Sequence, residues 1–257
     1  MLTRRLPVAL AVAAYLVSGA TFGNTSVGKR AKPSVKLICD RLIDDFSGSR
    51  VGAFPRGWRT RDEDEMPEAR AKRMYVVERE RERKVLHARY RDTAITIGRL
   101  VRDWDLRRYP VLSWEWKATE LPRGGDERES GRNDSAAGVY AIWDIGFPFY
   151  VNGIKYAWSS TLDVGRHLSK RLGHDHVLVK QSGPARLGQW QKVYVNVRDH
   201  QKRFFGRDAA SPPDGIALLT DADATESGAE AYYANFRLCR QVYRIPDESR
   251  RPRAAKR

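Results

Sequence analysis

From residue 93 onward the chain is cut into short apolar runs by clusters of turn formers, and that punctuation leaves little room for anything except β-structure. "TAITIGRLV", "PVLSWEWKATEL", "AAGVYAIWDI", "YAWSSTL", "HVLVKQS", "WQKVYVNVRDH", "DGIALLTDA" and "AYYANFRLC" follow one another. They are rich in Val, Ile, Thr, Trp and Tyr, and several alternate with a period of two. In "LSWEWKA", Trp114 and Trp116 share one face of an extended chain while Glu115 and Lys117 take the other. "PRGGDERESGRNDS", "GFPFYVNG", "SGPARLGQ" and "GRDAASPPDG" supply the turns between runs. No amphipathic helix separates these runs, which predicts an all-β antiparallel β-sandwich, most simply a jelly roll. "RFFGR" has room for one helical turn, and no internal repeat is visible, so one domain over residues 35–245 suffices.

Upstream, "VKLICDRLIDDF" reads as a first strand ending in acids, followed by the Gly- and Pro-dense loop "SGSRVGAFPRGW". Residues 68–92 fit two patterns equally. They can form a helix laced with Glu–Arg pairs at four-residue spacing, or two strands, "MYVVERE" and "KVLHARY", joined by a charged turn.

Residues 1–20 read as an export signal, with Arg4 and Arg5, an apolar stretch from Leu6, and the small residues Ser18 and Ala20 before the cut. The stretch is shorter than the roughly 20 residues a spanning helix needs, so no transmembrane segment is expected after cleavage. Residues 21–34 form a linker, and residues 246–257, with Arg250, Arg251, Arg253, Lys256 and Arg257, a basic disordered tail. Removing two of the 47 basic residues with the signal leaves +13 against 32 acids, a balance that favours anionic partners. Export to the periplasm or medium argues against nucleic acid and leaves a carbohydrate or an anionic cell-envelope polymer. Cys39 and Cys239, at opposite ends of the domain, form a disulfide in that oxidising setting, which sets the first and last strands side by side.

The chain carries no P-loop, G-x-S-x-G elbow, H-E-x-x-H or paired C-x-x-C. His167, His174 and His176 read as an exposed polar loop, since no register gives them a third metal ligand. Asp221, Asp223 and Thr225 alternate after the apolar run "IALL". Calcium takes about seven oxygens at about 2.3–2.6 Å, which makes Asp221 and Asp223 candidate ligands, joined by Asp44 or Asp45 if the cysteines pair, and by Glu230. The alternative is an Asx-type turn in which the same carboxylates accept backbone N–H groups. Asp126, Glu127 and Asp134 gather with Arg128 and Arg132 in a Gly-rich loop. There they suit sugar hydroxyls, or an acid–base pair of a glycosidase, or a solvated loop of mixed charge. Trp114 and Trp143 are assigned to the core. Tyr150, Tyr156 and Trp158 are assigned to an exposed aromatic rim.

"DDFSG…FPRGW", "PVLSWEWKATELPRGGDE", "NDSAAGVYAIWD", "IKYAWSS", "SGPARLGQWQKVYVNVRDHQKRFFG" and "GIALLTDADATESGAEAYYANFRL" together resemble a bacterial family of exported proteins, catalogued as domain of unknown function 3047, over residues 40 to 240. That resemblance implies strands rather than a helix over residues 74–90. More distantly, "DDF", "GW" and the closing "AYY" strand resemble galactose-binding and concanavalin-like jelly rolls. This wider likeness implies a structural calcium near the joined terminal strands, with Asp45 and Asp221 or Asp223 as ligands. The resulting reading is an exported sandwich that binds a carbohydrate or other extracytoplasmic ligand. Alternatives are a lyase or hydrolase acting on an acidic polysaccharide, and an envelope structural protein seated on anionic polymer.

Overall fold

Trp114 and Trp116 do point to one side of their strand, and both are fully buried. Trp114 meets Tyr156 at 5.7 Å between ring centroids and Trp116 meets Trp158 at 6.0 Å, each pair joining one sheet to another. A computed structural model describes residues 34–60, 65–90, 93–144, 151–206 and 211–244. The predicted signal, all of the linker but its last residue, the tail and Tyr150 lie outside the described residues.

One sheet has six strands: β1 (Ser34–Asp44), β3 (Tyr75–Glu80), β4 (Arg83–Arg89), β6 (Val111–Glu120), β11 (Gln191–Asn196) and β13 (Glu230–Arg244). Its order is β11-β6-β13-β4-β3, and β1 pairs with the far half of β13. The other has seven: β2 (Arg59–Thr60), β5 (Ile97–Leu100), β7 (Ala137–Asp144), β8 (Val151–Ser159), β9 (His167–Lys170), β10 (Asp175–Ser182) and β12 (Gly215–Leu219). It runs β2-β5-β12-β7-β8-β10-β9. Every pairing is antiparallel except β8 with β10. The fold is therefore an all-β sandwich, as the alternation predicts. Aromatic and aliphatic side chains from the inner faces of both sheets form one core.

The terminal strands meet. β1 pairs antiparallel with β13, and Cys39 and Cys239 are joined by a disulfide across them. Such a bond fits an oxidising compartment. Among the described residues no helix is long and apolar enough to cross a membrane.

Residues 68–92 follow both patterns in turn. The helix α1 (Glu65–Met74) stops where Tyr75, Val76 and Val77 begin, because branched and aromatic residues fit a strand better than a helical turn. β3 and β4 then form a hairpin whose turn places Arg81 at φ +54°. The helical turn expected near "RFFGR" is longer, a nine-residue helix α2 (Val197–Phe205). Asn196 caps it by accepting the Asp199 N–H, and Gly206 ends it in the left-handed conformation.

Candidate functional site

The acids singled out in the sequence are drawn inward, each onto partners of its own. Asp126 accepts the Arg128 guanidinium at 2.9 and 2.5 Å, and that hydrogen bonding holds its pKa down at about 2. Glu127 is fully buried and accepts hydroxyls from Ser135 at 2.7 Å and Ser159 at 2.6 Å. Asp134 accepts the Thr225 backbone N–H and hydroxyl, both at 2.7 Å. These bonds tie the loop between β6 and β7 down onto β8 and the 220–227 loop. They leave the three carboxylates 0–4% exposed, so they form no open cleft and present no acid–base pair to a substrate.

Asp134, Asp221 and Asp223 do converge, with one carboxylate oxygen from each lying within 4.8 Å of the others. Asp45 does not join them; it accepts the Ser47 N–H at 3.0 Å. Asp44 is bonded to the Trp58 indole at 2.8 Å and Glu230 to His87 at 2.8 Å. Burial raises Asp221 to about 6; Lys155 and the Ser135 N–H pull the other way, while Asp134 and Asp223 add to the rise. Lys155 is itself buried. Burial opposes its charge, but Tyr140, Asp221 and Glu127 outweigh that and raise its pKa. Gly138 makes the room, since a Cβ there would stand 2.8 Å from Lys155 Cε.

Beside this corner the outer face of the seven-stranded sheet opens into a groove of about 430 Å³. Two register rows cross the strands here, and all their members except Lys155 and Gly215 line it. Arg59, Gly98, Ala217, Tyr140 and Lys155 are successive partners across β2, β5, β12, β7 and β8. Leu100, Gly215, Ile142, Gly153 and Asp175 are successive partners across β5, β12, β7, β8 and β10. Strand glycines forgo packing and entropy, and they mark places where another group approaches the backbone closely. At Gly98 an added Cβ would meet nothing nearer than 3.7 Å, so the fold itself does not require glycine there. The Tyr140 ring stands mid-floor, with Arg59 at one end and the Arg171–Asp175 ion pair, 3.1 Å long, at the other.

Tyr156 and Trp158 are fully buried, so the exposed rim expected of them is corrected: their rings fill the space between the sheets. The histidines are not an exposed loop either. His167 and His176 share a hydrogen bond of 3.0 Å, and both rings stack on Phe204. His174 turns away to Asn152 at 2.8 Å. Sequence reasoning missed the groove, although glycines inside "TIGRL" and "VNGIK" carried the signal.

A profile described as protein of unknown function, DUF3047, matches residues 56–237. The chain belongs to this family. No curated protein matches it. Among solved structures, the family 11 carbohydrate-binding module of the cellulosomal cellulase Lic26A-Cel5E of Clostridium thermocellum is similar at 10% identity and a TM-score of 0.39. That match covers 85% of this chain and 99% of the module. The family 11 module from the same organism with a bound mixed-linked tetrasaccharide scores 0.37 at 11% identity, over 77% of this chain and 94% of that one. Endoglucanase 3 of Trichoderma harzianum, from family GH12, scores 0.36 at 11% identity, over 83% of this chain and all of that one. At such scores what those proteins bind remains a property of theirs.

Proposed function

We propose that this exported member of the family binds an extended carbohydrate polymer along the groove and does not cleave it. The trough itself supports this reading: the small residues Gly98, Ala217 and Gly153 line a groove whose walls and floor draw on six strands, with the Tyr140 ring mid-floor. Neighbouring strands lie about 4.8 Å apart, so six of them span about 24 Å, long enough for several sugar units. Aromatic faces suit the apolar faces of sugar rings, and charged side chains at the rim suit hydroxyls. Asp175 and Asp214, both lining the groove, are separated by β8 and β7, about 14 Å between backbones. Glycosidase carboxyl pairs stand about 5–9.5 Å apart, so this spacing favours binding over hydrolysis.

Affinity electrophoresis against a panel of polysaccharides tests the reading. The wild-type chain is expected to be retarded by at least one polymer without releasing reducing ends or unsaturated products. Gly98→Leu, which fills the floor at a site with space for a side chain, should abolish retardation while leaving the melting temperature within a few degrees. Equal retardation of both proteins would sink the groove as the site.

Calcium at Asp134, Asp221 and Asp223 is a separate part of the proposal, supported by the convergence of their oxygens. The competing account is a turn, held by the bonds that Asp134 and Asp221 already accept.

A further inference from the structure

The connection between β9 and β10 places Arg171, Leu172 and Gly173 at φ values of +49°, +56° and +88°. Left-handed backbone is disfavoured for residues with a Cβ, and turns that need it ordinarily use Gly, Asn or Asp. Among the described residues, the other non-glycine positions with positive φ stand singly. Here two adjacent ones carry long side chains, and Leu172 is 103% exposed, with no apolar contact to offset the strain.

The surroundings hold this turn in place. The His174 N–H donates to the Arg171 carbonyl at 3.1 Å, His176 Nε2 is 3.1 Å from the Gly173 carbonyl, and Lys170 is bonded to Asn133. Arg171 is paired with Asp175, and both line the groove. Strain that persists because its neighbours over-determine it is found at ligand clamps and switches. The Arg171–Asp175 pair helps to hold the turn, whereas the fully exposed Leu172 contributes no packing to it.

We propose that the left-handed turn Arg171–Gly173 is a ligand-reading element of the groove, fixing the Arg171 guanidinium on its wall and offering Leu172 to an apolar face of the same bound polymer. This rests on the groove being the carbohydrate site. Arg171, held by the Asp175 carboxylate, donates to sugar hydroxyls, and Leu172 covers a ring face where the polymer leaves the sheet. Leu100, 52% exposed, is the matching apolar contact on the far side.

Leu172→Gly is the decisive variant, because strain relief and loss of contact act in opposite directions. It should raise the melting temperature while weakening retardation by the best polymer of the panel about fivefold or more. Arg171→Ala should weaken retardation by about tenfold. If Leu172→Gly is stabilised and binds as tightly as wild type, with Arg171→Ala also unchanged, the turn is only a connector. The proposal then falls, while loss of binding in Gly98→Leu would still uphold the groove. If the wild-type chain binds no polymer of the panel, both fall together. Loss of binding in Leu172→Gly alongside a lowered melting temperature would also overturn the proposal, since the turn would then be a stability element.

Discussion

At Asp221 burial works against ionisation while Lys155 works for it, and the outcome is a pKa of about 6, which would govern the pH at which the proposed calcium could bind. Below about pH 6 the carboxyl holds a proton that a metal must displace. A calcium-induced rise in melting temperature is therefore expected to be larger at pH 7.5 than at pH 5, and to vanish with chelator. Indifference to both calcium and chelator at the higher pH would leave the corner as a hydrogen-bonded turn. Asp126 shows the opposite sign. Its carboxyl is depressed to about 2, below the 3.8 of an ordinary aspartate, so the stability it contributes is complete above about pH 4 and lost as the pH falls through about 2. The gap in urea midpoint between wild type and Asp126→Asn should narrow over that interval. These acids were visible in the sequence; their fate was not. The sequence places Glu127 in a Gly-rich loop with other charges, but only the folded loop shows that Ser135 and Ser159 consume both its oxygens.

Strands were legible where side chains alternate, as at Trp114 and Trp116, because a half-buried strand imposes a period of two on its sequence. Elements shaped by tertiary context were harder to read. The charged faces of β3 and β4 present Glu78, Arg83 and His87, polar residues that look helical until the hairpin pairs them across the sheet. Likewise β11 passes straight into α2, so "VYVNVRD" reads as one strand although Asn196 and Asp199 mark a capped helix start. Gly153 was assigned to a turn because glycine punctuates loops, yet it lies within β8 as part of the groove floor. The disulfide between β1 and β13 closes a loop of 200 residues. Its removal as Cys39→Ala with Cys239→Ala is expected to lower stability by about 3–5 kcal/mol in the chain-entropy estimate, read from denaturant midpoints. No change in midpoint would mean that the β1–β13 ladder alone fixes the ends.

Over the whole molecule the formal charge of +15 invites the view that any polyanion would bind. The groove is not built that way. Arg59 and Arg171 are offset by Asp175 and Asp214, and Arg99 lies 3.3 Å from Asp44. If the groove binds a carbohydrate as proposed, retardation should therefore change less than about threefold between 50 and 500 mM salt, where screening removes long-range attraction. A collapse over that range for every polymer alike would assign binding to general surface charge.

β13 is the longest strand and the hub of its sheet, with β6 along one edge and β4 and β1 sharing the other. It is also the last element that the ribosome delivers among those described. Until residues 230–244 emerge, three nascent strands have no common neighbour, and their open edges invite wrong partners. The six-stranded sheet can therefore close only once residues 230–244 are available to bridge β6, β4 and β1.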